Sequence, residues 1–298
     1  MNLTPDSKVL IQGNAASQAL IHAVLNMKAY GTNIVACVSP SQGGGYLQDI
    51  PIFDLVEQAQ VKVGPVETSI IWVNPYQVLD AALEAIEAGV RQLLILTKGM
   101  PPLDMVRLIR KAEVAETIVI GPNCAGIIIP NKLLWGVHPG EFYTPGSIGL
   151  IGRGSCLTYE IAFQLTQAKL GQSIGVSIGS DLMIGSSFIP WLQILDEDDQ
   201  TDVIVLVGEV SGHGEEEAAS YIAETIDKPV IAYIAGLHLP NSQAMGHSCT
   251  LATSKLIAQT MCPPTIDSKI SAFKQAKIPL ADRPSKIPAL VKKCLKNK

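Results

Sequence analysis

The segment Val9-Leu10-Ile11-Gln12-Gly13-Asn14-Ala15-Ala16-Ser17-Gln18 passes from an apolar β-type run, through small residues, into a helical pattern. A strand that turns in this way and hands over to a helix opens a βαβ unit on a parallel sheet. Outward from it the alternation continues. The pattern predicts strands near Lys8–Gln12, Ile34–Val38, Ser69–Val73, Gln92–Thr97 and Thr117–Ile120. Between them it predicts helices at Ala16–Ala29, Tyr76–Ala88 and Leu103–Ala112. Residues 131–145 break the rhythm, with Pro139, Gly140, Pro145 and Gly146 close together, and read as an extended connection.

A second alternating series follows. Its strands are expected at Ile148–Ile151, Ser173–Ile178, Val203–Val207 and Val230–Ile234, and its helices at Cys156–Lys169, Ser187–Leu195 and Glu215–Thr225. The tail from Thr265 holds one short helix and a longer one ending in lysines. The reading is an α/β chain with one domain at 1–130, a linker at 131–146 and a second, doubly wound domain at 147–298.

Composition agrees with sheets covered on both faces. Apolar residues make up 47% of the 298 residues and charged ones 16%, which excludes a disordered chain. A net charge of -5 with scattered Lys and Arg gives no basic field for nucleic acid. The start, Met1-Asn2-Leu3-Thr4-Pro5-Asp6-Ser7, lacks the regions of a signal peptide, and the longest apolar runs are strand-length, so no membrane partner is expected. Six cysteines without a CxxC pair suggest neither zinc nor a disulfide framework, and reduced thiols in a cytoplasmic setting are the expectation.

The first loop brings backbone N–H groups and a helix dipole to where a phosphate could lie, although Gly13 is its only glycine. A tight strand–helix turn without any ligand explains it equally well. The next strand ends Cys37-Val38-Ser39-Pro40-Ser41-Gln42-Gly43-Gly44-Gly45. No carboxylate stands there to hold a ribose, which argues against a nicotinamide dehydrogenase. The triple glycine leaves room for a bulky ligand against the backbone. In the second domain, Gly152-Arg153-Gly154-Ser155-Cys156 offers N–H donors and a hydroxyl to an anion at a helix start.

Glu209 follows the strongest apolar strand, which puts a carboxylate at the sheet edge where open α/β folds bind ligands. A solvated loop glutamate is the plainer alternative. Glu215-Glu216-Glu217 reads as favourable charge at a helix N-terminus. His247, in Met245-Gly246-His247-Ser248, has small neighbours that leave a nucleophile accessible, and it lies one βα unit beyond Glu209. A carboxylate can hold the tautomer of such an imidazole and stabilise its charged form. His213 is a second candidate; His22, His138 and His238 lack such a setting.

Several segments resemble the α subunit of succinyl-CoA synthetases. They are Gly121-Pro122-Asn123-Cys124-Ala125-Gly126, Leu157-Thr158-Tyr159-Glu160, Gly185-Ser186-Ser187-Phe188, Gly208-Glu209, Glu215-Glu216-Glu217-Ala218-Ala219, Tyr233-Ile234-Ala235-Gly236 and Met245-Gly246-His247, in the family's order over roughly residues 5 to 250. The resemblance implies a Rossmann-type CoA-binding domain followed by a flavodoxin-like ligase domain. It implies that His247 carries a phosphoryl group, that Glu209 orients it, and that Gly154, Ser155 and Cys156 hold phosphate. It implies CoA contacts from Gly13, Ala16, Ser17, Gln18, Ser39, Gln42 and Lys98, and a substrate contact from Tyr159. The acid would be a small carboxylic acid. ATP or GTP, with Mg2+, would sit on an ATP-grasp β subunit, since this chain has no GxxxxGK[ST] of its own. A homo-oligomer of this chain is a further expectation.

The chain departs from the family's pattern on its ligand-facing loops. Gln42 stands where a lysine is common, Thr97-Lys98-Gly99 replaces Thr-Glu-Gly, Gly154-Ser155-Cys156 replaces Ser-Gly-Thr, and Ser248-Cys249-Thr250 follows the histidine in place of glycine-rich sequence. Two functions are therefore expected in order: a working ligase α subunit, then a non-catalytic relative that keeps the scaffold as a binding or regulatory protein.

Overall fold

A computed structural model describes residues 3–209, 214–237 and 266–296. The chain forms two units, one of Met1–His138 with Met183–Ser186, the other of Pro139–Leu182 with Ser187–Lys298.

The first unit begins with β1 (Val9–Gly13), α1 (Gln18–Ala29) and β2 (Ile34–Val38). A short antiparallel pair, β3 (Tyr46–Leu47) and β4 (Ile50–Phe53), leads to α2 (Val56–Val63). Then come β5 (Thr68–Trp72), α3 (Val78–Glu87), β6 (Gln92–Ile95), α4 (Pro102–Val114) and β7 (Ile118–Ile120). The sheet order is β3-β4-β2-β1-β5-β6-β7, parallel except at β3–β4. The chain thus winds outward from β1 on one side, then crosses to β5 on the other. That reversal opens a crevice at the carboxyl ends of β1 and β5, where side chains and ligands can enter.

The helices cover the sheet because their apolar faces have nowhere else to go. Val56, Val78, Ala82 and Leu108 pack on Leu10, Ile71 and Leu93, all buried. Ser17 caps α1 by accepting from the Leu20 amide at 3.5 Å. Glu84 of α3 accepts the Val56 amide at 2.9 Å and so satisfies an end of α2. Residues 131–146 are not the plain extended connection that their prolines and glycines suggest. Gly126–Ile129 and Leu133–Gly136 form an antiparallel hairpin, β8 and β9, with Trp135 fully buried. The division between the units falls at His138 and Pro139.

The second unit runs β10 (Pro145–Gly152), α5 (Ser155–Gln167), β11 (Gln172–Ser177), α6 (Phe188–Glu197), β12 (Val203–Gly208), α7 (Gly214–Thr225) and β13 (Val230–Ile234). Among the described residues two more helices follow, α8 (Ile266–Gln275) and α9 (Ile287–Lys296). Its four parallel strands lie in the order β13-β12-β10-β11, so the winding again reverses, here between β10 and β12. This is the flavodoxin-like pattern, and its switch point lies beside Gly152 and Gly208. Every residue of β12 is buried, as a strand covered on both faces requires. Lys292, Lys293 and Lys296 form the exposed side of α9.

Candidate functional site

At the switch point of the first unit lies a cleft of about 840 Å³, a size suited to a cofactor moiety. Gln12, Gly13, Ser17, Ser39, Gln42 and Trp72 are among the residues that line it. Gly13 is required by packing: a Cβ there would meet Leu20 Cδ2 at 2.9 Å and the Trp72 carbonyl at 3.0 Å. The loop is braced by polar side chains. Ser39 Oγ accepts from the Ala15 amide at 3.2 Å and donates to Gln42 Oε1 at 2.8 Å. Gln42 Nε2 reaches Asn14 Oδ1 at 3.4 Å, and that oxygen also accepts from the Ala16 amide at 3.0 Å. Gln42 therefore ties the two loops together where the family's lysine would present a charge.

Four of the seven residues expected at a CoA site, Gly13, Ser17, Ser39 and Gln42, line this cleft. Ala16, Gln18 and Lys98 do not; all three are exposed. Gly43, Gly44 and Gly45 also stand outside it, because they pack onto the β3–β4 pair. The Gly43 amide donates to Asp54 Oδ1 at 3.1 Å, and the Gly44 amide to the Ile52 carbonyl at 3.0 Å. The lining contains Asp80 and Glu84 but no Lys or Arg. A CoA moiety fits this cleft by size, by the amides of the first loop and by the start of α1; its phosphates would meet dipoles rather than a cation. Beneath the cleft, Gln12 is buried and satisfied, accepting from Ser69 Oγ at 2.8 Å and donating to the Ala81 carbonyl at 2.9 Å. Desolvation pushes the buried Cys37 thiol up to about 12, so it is inert.

The switch point of the second unit carries the acidic chemistry. Gly152 ends β10, and Gly154 is the residue before α5, with φ -86° and ψ 130°. Glu209 follows β12 directly, and its carboxylate lies over Gly154. A Cβ on Gly154 would stand 2.3 Å from Glu209 Oε1. The structure thus brings the expected carboxylate to the expected anion loop, at the amino end of a 13-residue helix whose dipole favours negative charge. Ser155 is half-buried, Cys156 is exposed, and Tyr159 is half-buried one turn into the helix. His247, with His213 and His238, lies outside the described residues.

Three participants were not legible as site residues. Arg153, almost fully buried, donates from Nη2 to the Asp181 carbonyl at 3.1 Å and so holds the turn after β11 against the loop after β10. Glu215 is in the first turn of α7, where favourable charge at a helix N-terminus is expected, but it is fully buried and its partner is the fully buried Lys269 of α8. Only partners distant in sequence reveal these roles. His138 is structural: its Nε2 lies 2.9 Å from the Gly126 carbonyl, and desolvation drives its pKa down to about 4 despite that bond. Among the described residues, no cluster of three or more His, Cys, Asp or Glu could hold a metal, and no helix is long and apolar enough to cross a membrane.

Comparison with known proteins bears on both crevices. The family described as CoA binding domain matches residues 4–99, and the family described as CoA-ligase matches residues 151–261. The chain is 37% identical to the succinate–CoA ligase (ADP-forming) subunit alpha 2 of Archaeoglobus fulgidus, over 97% of both chains. It is 39% identical to the malate–CoA ligase subunit alpha of Methylorubrum extorquens, over 83% of this chain and 85% of that one. Among solved structures, the ATP citrate lyase of Methanothrix soehngenii in complex with citrate and coenzyme A superposes on the whole chain with a TM-score of 0.83 at 18% identity. This chain spans 51% of that protein's length, and the likeness concerns the fold.

Proposed function

The chain belongs to the family of succinate–CoA ligase α subunits, and from that premise we propose that it is the CoA-binding, acid-activating subunit of an acid–CoA ligase. Its partner is a β subunit of the ATP-grasp type, which holds ATP or GTP with Mg2+. The acid is a small dicarboxylate of the kind in the relatives' names, succinate or malate. The setting is the cytoplasm.

In this reading His247 takes the phosphoryl group from the nucleotide and passes it to the acid. Glu209 accepts the proton of one ring nitrogen, which leaves the lone pair of the other free to attack, and it stabilises the positive charge that the ring gains on taking up the phosphoryl group. The amides at the start of α5, with Ser155 and Cys156, hold the phosphate oxygens, and Tyr159 faces the acid. CoA, when bound, supplies the thiol that displaces phosphate from the activated acid. Gly13, Ser17, Ser39 and Gln42 hold it in the cleft of the first unit, and Lys98, outside that cleft, meets another part of it. The observation that carries the proposal is the Glu209 carboxylate laid over Gly154 at a switch point, where the edge of a parallel sheet and a helix start meet and open α/β folds bind their ligands.

The test is thioester formation. The chain, assembled with a matching ATP-grasp subunit, is offered CoA, Mg2+, ATP or GTP, and a panel of small carboxylic acids. Acyl-CoA formed with a C4 dicarboxylate is the expected result. No thioester with any acid, from a folded complex that binds nucleotide, would leave only the non-catalytic reading.

A further inference from the structure

We propose that Glu215 and Lys269 are positioning residues for Glu209, an inference that rests on the role of Glu209 given above. Each oxygen of the Glu215 carboxylate has a separate task. Oε1 accepts the backbone amide of Glu209 at 2.9 Å, and Oε2 pairs with Lys269 Nζ. Lys269 also lies 3.5 Å from Glu216 Oε2, while Glu216 Oε1 accepts from Ser268 Oγ at 2.7 Å. With one oxygen held by α8, the other is aimed at the residue that leaves β12.

Two observations separate this from ordinary helix capping. A first-turn glutamate stabilises a helix from the surface, in water, without a lysine. Glu215 and Lys269 are instead both at 0% exposure. Burying two charges is costly, and apolar residues of similar volume commonly serve stability as well or better. What the apolar pair cannot supply is an acceptor fixed in direction. Space has also been cleared for it: a Cβ on Gly208 would stand 2.7 Å from Glu215 Cγ. Glu209 is thus held by its amide through Glu215, and its carboxylate lies over Gly154.

The test uses the full chain with its ATP-grasp partner and follows transfer of the γ-phosphate of labelled ATP, or GTP, to the α subunit. Glu215→Leu with Lys269→Met removes the acceptor together with its own cation, and the partly exposed Glu216 keeps its bond from Ser268 Oγ. Glu215→Gln with Lys269→Met keeps an oxygen acceptor. Gly208→Ala moves Glu215 by contact and serves as an independent perturbation should the apolar pair not fold. The expected result is a labelling rate about 10- to 100-fold lower in the Leu/Met and Gly208→Ala variants, with the apparent KM for nucleotide unchanged. The Gln/Met variant should recover most of the rate, which a merely structural role would not require. Parent-like labelling in a folded Leu/Met or Gly208→Ala variant, while Glu209→Gln is impaired, overturns the positioning role alone. Parent-like labelling in Glu209→Gln removes Glu209 from the chemistry and this inference with it.

Discussion

Replacing Gly154 with alanine tests the second site with a single methyl group. The backbone at Gly154, φ -86° and ψ 130°, is open to any L residue, so the substitution introduces no backbone strain. The three atoms nearest the new Cβ belong to one side chain: Glu209 Oε1 at 2.3 Å, Cδ at 3.3 Å and Cγ at 3.6 Å. Ordinary contact begins at 3.4 Å, so Oε1 must retreat by the difference from 2.3 Å, about 1 Å. A displacement of that size in a positioning group can cost about 100-fold in rate. The fold should barely notice. Glycine to alanine at a helix N-cap costs on the order of 1 kcal/mol. That lowers the melting temperature by about 2–4 °C for a unit of this size. The assay pairs a thermal melt with the rate of γ-phosphate transfer to the α subunit. A folded Gly154→Ala protein that is phosphorylated at the parent rate would refute the reasoning, because the carboxylate cannot stay where it is with a methyl group at 2.3 Å.

Three further outcomes are expected. Gln42→Lys adds a charge-assisted bond to a phosphate, worth about 1 kcal/mol before discounting for exposure, so calorimetry should show CoA binding about 3-fold tighter at low salt. The same change removes the bonds from Gln42 to Ser39 and Asn14, so salt dependence is the deciding readout: the gain should fade at about 0.5 M salt, and a salt slope equal to the parent's would place the CoA phosphates elsewhere. Lys269→Met alone leaves Glu215 buried without the cation on its Oε2 and should destabilise the chain by about 3–5 kcal/mol, with recovery when Glu215→Leu is added; equal melting of the single and double variants would contradict this. His138 titrates near 4 when folded against an ordinary 6.5, so the unfolded chain takes up its proton first as pH falls. The stability present above 6.5 is therefore lost between 6.5 and 4, by about 2 kcal/mol at pH 5, and denaturation curves of His138→Gln should lack that component of the pH slope.

The alternating pattern was legible because buried parallel strands are apolar throughout. Val203–Gly208 and Ile34–Val38 stand out for that reason, and their ends were read to within a residue. The segment Tyr46–Val63 was not. Tyr46–Leu47 has only two residues, Ile50–Phe53 contains Pro51, and α2 carries Glu57, Gln58, Gln60 and Lys62 with only Val56 and Ala59 buried. Pro139 and Pro145 mark the division between the units, inside the segment read as a connection, but they gave no sign that Leu133–Gly136 at its start forms a buried hairpin strand. Among site residues, Glu209 and Gly154 were readable because both sit where a strand ends, and a fold class fixes where strand ends go. Gln42 was readable as a lost cation but not as a brace, which depends on Asn14 and Ser39 arriving at the same place. Glu215 with Lys269, 54 positions apart, and Arg153 with Asp181 are matters of packing between distant elements, and no local spacing encodes them.

The proposed chemistry rests on one imidazole. Incubated with its ATP-grasp partner and nucleotide labelled at the γ-phosphate, the chain should acquire an acid-labile phosphate at His247 that succinate and CoA discharge, and His247→Asn should acquire none. Label of undiminished amount in His247→Asn would contradict the phosphohistidine mechanism.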